Sequence, residues 1–275
     1  MTSRENGATT GRSGREQLML EAVSCNNQGV QHLLSARGAR AESMNDAALA
    51  NAVNCFCRSL KRIPQSSVDN YLNGTFQTPL FSPARHIKCL PFPIQGFSME
   101  QDQAPFYIFG HVFSVELDSP DVPHSWLLED YPVCLMSTLA LFNMAVATHL
   151  KGVRSFFVRS FFDKSQLLQA EKFYQFCIDM VREGQTYNYH ALAVLECLAL
   201  NNQAQIAWHL FGTCQNPNNN IHQLMDALQA KVDVLLCIGT EEQQCVGRIA
   251  LDPTIFGEIM LNIVLYKTLK VAGAA

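Results

Sequence analysis

Three asparagines recur with one spacing. Asn27, Asn143 and Asn202 each stand two residues before a small residue, Gly29, Ala145 and Ala204, in the segments CNNQGVQHLL, LALFNMAVATHL and LALNNQAQIAWHL. An amide side chain offers both a donor and an acceptor, so this recurrence points to hydrogen bonding. Reactive chemistry has thinner support. No Gly-x-Ser-x-Gly elbow, His-Glu-x-x-His pair, phosphate loop or dinucleotide fingerprint occurs. His111 and His124-Ser125 have no neighbours spaced to activate them and read as solvated. Cys55 and Cys57 are two apart on a helix, so they point to different faces and cannot chelate together. His86-x-x-Cys89 has workable spacing, but a structural zinc needs about four ligands and no second pair is near. The sequence therefore implies no catalytic residue, no metal and no cofactor.

The elements that must position the asparagines are marked by their ends. Apolar-periodic runs stop at Gly38, Gly152, Gly184, Gly212 and Gly239, and Gly is favoured just past a helix because it accepts positive φ without a Cβ clash. Asp163 precedes KSQLLQAEKFYQFCIDMVRE with Gln166 at the capping-box spacing, and Asn220 precedes IHQLMDALQAKVDVLLCI with Gln223 likewise. Asp252-Pro253 pairs an N-cap with proline at the first helical position. Asn45-Asp46 opens AALANAVNCFCRSLKRI, which closes on Lys61, Arg62 and then Pro64; cations suit the last turn of a helix. These signals predict seven helices, near 16–37, 46–62, 132–151, 163–183, 188–211, 221–238 and 253–270. Residues 1–14 read as a disordered tail. The chain from 15 to 275 reads as one all-α domain with an irregular insert at 64–131. That insert holds eight of the eleven prolines, a density that forbids long helices, and is expected to form one short hairpin near 106–117.

Composition bounds the partners. Charged residues are 16% of the chain and hydrophobic residues 48%, with a net charge of -4. There is no basic stripe, so nucleic acid is not expected. Ten cysteines are scattered along the chain, most within apolar helical stretches, and the first twenty residues carry no apolar core segment. Both features favour reduced thiols in a cytoplasmic or nuclear setting. The run VCLMSTLALFNMAVATHL has no Asp, Glu, Lys or Arg and is long enough to cross a membrane. Its Asn143 and His149 argue instead for the middle helix of an array that packs on both sides, with no membrane partner.

A second signature follows the first two asparagine segments: A-x3-F-x2-S at Ala52, Phe56 and Ser59, and A-x3-Y-x2-C at Ala170, Tyr174 and Cys177. Together the two signatures resemble the tetratricopeptide repeat, a pair of antiparallel helices. The match covers 16–64 and 132–183, and extends to 188–238 in weaker form, where Lys231 or Ala227 stands in the place of the aromatic. The layout is also similar to a set of algal repeat proteins, a likeness that brings no activity with it. The resemblance implies a right-handed α-α solenoid of about three helix pairs plus a C-terminal helix. It also implies a concave groove that binds a protein or peptide partner, lined by Asn27, Val30, Leu33, Asn143, Val146, His149, Asn202, Gln205 and Trp208. In such a groove the asparagines would contact the backbone of an extended peptide. The competing expectation is that they cap or bridge helices inside the array. The family's carboxylate clamp needs cations where Val23 and Leu198 stand, so any bound peptide should be neutral or apolar. The expected function is an interaction scaffold, and not an enzyme; the alternative is a helical hydrolase using 64–131 as a lid.

Overall fold

Capping geometry sets the helix starts. The Asn45 side chain accepts from the amides of Ala47 and Ala48 at 3.0 and 3.3 Å, and the Asp163 carboxylate accepts from Ser165 and Gln166 at 3.1 and 3.2 Å. Each satisfies amides that have no partner within the first turn. The computed structural model describes residues 14–36, 45–63, 87–91, 111–116, 130–159, 163–183, 190–211, 220–241 and 253–272. They form seven helices: α1 (Gly14–Ser35), α2 (Asp46–Arg62), α3 (Asp130–Arg159), α4 (Lys164–Glu183), α5 (His190–Phe211), α6 (Ile221–Glu241) and α7 (Pro253–Ala272). Between α2 and α3 lies a two-stranded antiparallel hairpin, β1 (Ile87–Pro91) and β2 (His111–Val115). Among the described residues the fold is all-α apart from this hairpin.

Helices pack in sequence, α1 on α2, α2 on α3, and so on to α6. The first member of each pair also meets the next, α1 against α3 and α3 against α5, while α7 lies on α5 and α6. In α2 the buried positions Ala48, Leu49, Ala52, Cys55, Phe56 and Ser59 follow the helical period, so one stripe faces the core. Helix α3 is different, because α1, α2, α4, α5 and β2 all touch it. It contains the one described stretch long and apolar enough to cross a membrane, Val133–Ser155, and 94% of that window is buried inside the protein. Neighbours on every side account for the uncharged run.

Gly152 has another role than the helix stop expected of it. Helix α3 continues past it to Arg159. A Cβ at Gly152 would lie 2.7 Å from Leu167 Cδ2 and 3.2 Å from the Leu167 backbone nitrogen, so the glycine permits the close crossing of α3 and α4. Helix α6 likewise runs through Gly239 to Glu241, and α1 ends at Ser35, before Gly38, which lies outside the described residues. Gly29 holds the first crossing: a Cβ there would meet the Phe56 ring at 2.5 Å. The small residue of α1 thus meets the aromatic of α2.

Lys231, where the resemblance expects an aromatic, is an ion-pair partner. Lys231 donates to Glu196 Oε2 at 2.7 Å and Arg182 to Glu196 Oε1 at 2.8 Å. Glu196 is only 1% exposed, so one carboxylate from α5 is neutralised by cations from α4 and α6. The hairpin also departs from expectation. Its second strand lies within 106–117, but its partner is the distant 87–91, with Cys89 opposite Phe113.

Candidate functional site

Helices α1 and α3 each present an asparagine to β2. The Asn27 amide brackets one residue of the strand, donating to the Val115 carbonyl at 2.7 Å and accepting from the Val115 amide at 2.9 Å. Asn143 does the same at Phe113, with distances of 2.8 Å to the carbonyl and 2.9 Å from the amide. Asn26 donates to the same Phe113 carbonyl at 3.0 Å, and accepts from Asn143 at 3.0 Å. Three side chains from two helices therefore grip two alternate residues of one extended strand.

The alternation has a geometric reason. In an extended chain each residue points its N–H and C=O to one side, and the next residue points them to the other. With Phe113 and Val115 turned toward the asparagines, Val112 and Ser114 turn toward β1. Their partners in register are Leu90 and Lys88. Pro91, which has no N–H to give, falls opposite His111 in the outward-facing register. Strand β2 is thus the middle strand of a three-layer ladder whose third member is made of side-chain amides.

The strand is packed as well as bonded. Val112 and Phe113 are fully buried and Val115 nearly so. The Phe113 ring meets Phe142 at 5.6 Å, edge on. From there a file of rings runs through the array: Phe142 to Tyr174 at 5.7 Å, Tyr174 to His149 at 6.1 Å, and His149 to His209 at 6.4 Å. Burial, with a further push from His209, lowers His149 to about 3; burial alone lowers His209 to about 4. Among the described residues neither ring nitrogen of His149 has a hydrogen-bond partner. Burial also pushes the Tyr174 phenol well above its ordinary range, against the opposing hydrogen bond from Asn202.

The nine expected groove residues share an inward orientation. Val30, Leu33, Asn143, Val146, His149, Asn202 and Gln205 are buried, while Asn27 and Trp208 are half-buried. The structure brings Asn27 and Asn143 together on β2 and sets Asn202 apart. Asn202 donates to the Tyr174 hydroxyl at 2.9 Å. Its neighbour Asn201 accepts from Asn262 of α7 at 2.7 Å, so at this point α5 meets a helix and not the strand. Asn202 therefore bridges helices, as the competing expectation had it, while Asn27 and Asn143 hold an extended backbone. Val23 and Leu198 are buried and apolar.

Sequence reasoning missed Asn26, Asn201 and Asn262; it expected a strand within 106–117, where β2 lies, but not its hold by the asparagines. The doublets Asn26-Asn27 and Asn201-Asn202 were the available signal, since the first amide of each donates to the second, at 3.4 and 3.3 Å. The expected solvated His111 is buried instead, with Nδ1 3.8 Å from the Glu258 carboxylate on α7. His86 and His124-Ser125 lie outside the described residues. Among the described residues no three His, Cys, Asp or Glu side chains are grouped to hold a metal. No family model, curated protein or solved structure matches this chain, so the geometry of the clamp itself carries the functional reading.

Proposed function

We propose that this chain is a protein–protein interaction scaffold, a right-handed solenoid of about three tetratricopeptide-like helix pairs, whose asparagine-lined face recognises an extended polypeptide segment. The observation that carries the reading is the pair of two-point amide clamps, Asn27 on Val115 and Asn143 on Phe113. They read backbone and not side chains, which is how an extended ligand is held with little demand on its sequence. The contacts of α1 with α3 and of α3 with α5 support a solenoid. The six free cysteines among the described residues, Cys25, Cys55, Cys57, Cys134, Cys177 and Cys197, fit an intracellular, reducing setting.

In this conformation the occupant is the chain's own β2. A partner must therefore replace β2, and must offer what β2 offers: an extended backbone with N–H groups at alternate residues, an apolar ring where Phe113 sits, and no charge at the clamped positions. The synthetic peptide FGHVFSVEL, copied from residues 109–117, is the direct probe. In a Phe113→Asp variant the internal strand is weakened, and the added peptide should bind. A peptide with proline in place of Phe113 lacks the clamped N–H and should not. Circular dichroism checks that the variant keeps its helices. A folded Phe113→Asp protein that ignores the unmodified peptide would overturn the proposal.

A further inference from the structure

The strand in the clamp has two edges, and the asparagines take only one. Asn27 and Asn143 bond the backbone of Val115 and Phe113. The backbone groups of Val112 and Ser114 point the other way, toward Leu90 and Lys88 of β1. Alternate residues of β2 are therefore satisfied by a second strand and not by the helices. The side chains divide in the same manner. Cross-strand partners share a face, so Ile87 stands beside Val115 and Leu90 beside Val112. Ile87, Val112 and Val115 belong to the apolar core, and Leu90 packs against it. Helices α1 and α3 pack on β2, and β1 packs on β2 in turn. Lys88 also pairs with Glu116, one residue past β2. The exposed Lys88 and Pro91 are the residue types that blunt the outer edge of a sheet. The occupant of the clamp is thus a strand with a second strand behind it.

We propose, resting on the clamp function above, that the partner is the edge strand of a folded β-sheet, with the next strand of that sheet standing where β1 stands. A lone flexible segment fills the clamp but leaves the outward N–H and C=O groups at the Val112 and Ser114 positions without a strand. It also takes the cover of Ile87 and Leu90 off two buried valines. An edge strand brings a neighbour that supplies these contacts. It arrives already extended, so less chain entropy is lost on binding. Its open edge presents the alternate amides and carbonyls that Asn27 and Asn143 bond.

Three peptides separate the two kinds of partner. One is the strand alone, FGHVFSVEL, residues 109–117. The second joins IKCLP, residues 87–91, to that strand through a flexible Gly-Ser linker, with Cys89→Ser to remove the thiol. The third is the second with Lys88→Pro and Leu90→Pro, which takes away the two N–H groups that face β2. The host is the full chain carrying Phe113→Asp, to empty the clamp, and Leu90→Pro, so that its own β1 does not complete the ladder. Phe113→Ala replaces Phe113→Asp if circular dichroism shows lost helix. In calorimetric titrations the two-strand peptide should bind at least about tenfold tighter than the strand alone, the scale of two apolar cross-strand pairs with their ladder bonds. The proline version should fall back to the affinity of the strand. Equal affinity for one strand and two would overturn the inference and make a lone flexible segment the ligand, leaving the clamp intact. A proline version that keeps the advantage would overturn it as well, because the gain would not come from strand pairing. Binding by none of the three would remove the clamp function itself, and this inference with it.

Discussion

Replacing Asn143 with alanine tests the clamp at its most buried point. Asn143 is fully buried and makes three hydrogen bonds, two to Phe113 and one to Asn26. A hydrogen bond contributes roughly 0.5–1.5 kcal/mol net, and a buried group left without its partner costs about 1–3 kcal/mol. The losses at the two ends of Phe113 are unequal. Its carbonyl keeps Asn26 at 3.0 Å, whereas its amide, bonded on this side to Asn143 alone among the contacts described above, loses its acceptor. About 3 kcal/mol is therefore expected, most of it from the stranded amide. For a chain of this size each kcal/mol moves Tm by about 2–4 °C, so Asn143→Ala should melt about 6–12 °C early. Asn27→Ala is the comparison. Asn27 is itself half-buried, so water can enter the space its side chain leaves beside Val115, and the loss should stay near about 1 kcal/mol. Asn143→Asp should be worse than alanine, because a carboxylate cannot donate to the Phe113 carbonyl or to Asn26. Melting followed by circular dichroism gives all three values. Asn143→Ala within 2 °C of the parent, or no more damaging than Asn27→Ala, would refute the assignment of a dry, load-carrying clamp.

Glu196→Ala should cost about 1–3 kcal/mol, since it removes two charge-assisted hydrogen bonds while the cations left behind, Arg182 and Lys231, are partly exposed and can turn to water; denaturant unfolding measures it, and an unchanged midpoint would show that the shared carboxylate contributes nothing. Ala170→Leu should destabilise by about 1–3 kcal/mol through overpacking at a fully buried position on α4, with an unchanged melt as the contrary result. Acid should weaken the fold through His149. Its folded pKa is held at about 3 against an ordinary 6.5, so unfolding takes up a proton; the stability is complete above pH 6.5 and is lost as pH falls from there toward 3. At pH 5.5 the loss from this group is roughly 1–2 kcal/mol relative to pH 8, and a His149→Leu variant should lose that part of the pH dependence in urea titrations.

Local chemistry made the helices legible. Asn45 and Asp163 act as the caps their spacing indicates, and the seven predicted helices correspond to the seven seen among the described residues. The stops read from glycine were less secure, because glycine serves two ends. Gly152 looks like a helix terminator in sequence, but its bare Cα is needed against Leu167, and only the packed partner distinguishes the two roles. The asparagine positions were legible for a similar local reason, but their occupant was not. Strand β2 pairs with residues about twenty positions upstream, across a proline-rich stretch, and meets Asn27 from 88 residues away. No periodic signal spans such a distance. Lys231 was visible as a departure from the repeat, yet its explanation, a buried Glu196 two helices' length back along the chain, appears only when α5 and α6 are laid together.

The clamp also imposes an order on assembly. Helices α1 and α2 can pair as soon as both exist, since their contacts are local. Strand β2 has no such freedom, because its amides are satisfied by Asn27 near the start of the chain and by Asn143 well beyond it. Until α3 has formed, Phe113 has neither its acceptor nor the Phe142 ring to rest on. Contacts of such long separation close slowly. A growing chain therefore carries an empty N-terminal pair and an unplaced strand until residue 143 is in position. The Phe113 amide, whose acceptor is Asn143, would be the last in this region to gain protection from hydrogen exchange, which makes it a reporter of the moment the two ends of the fold are tied together.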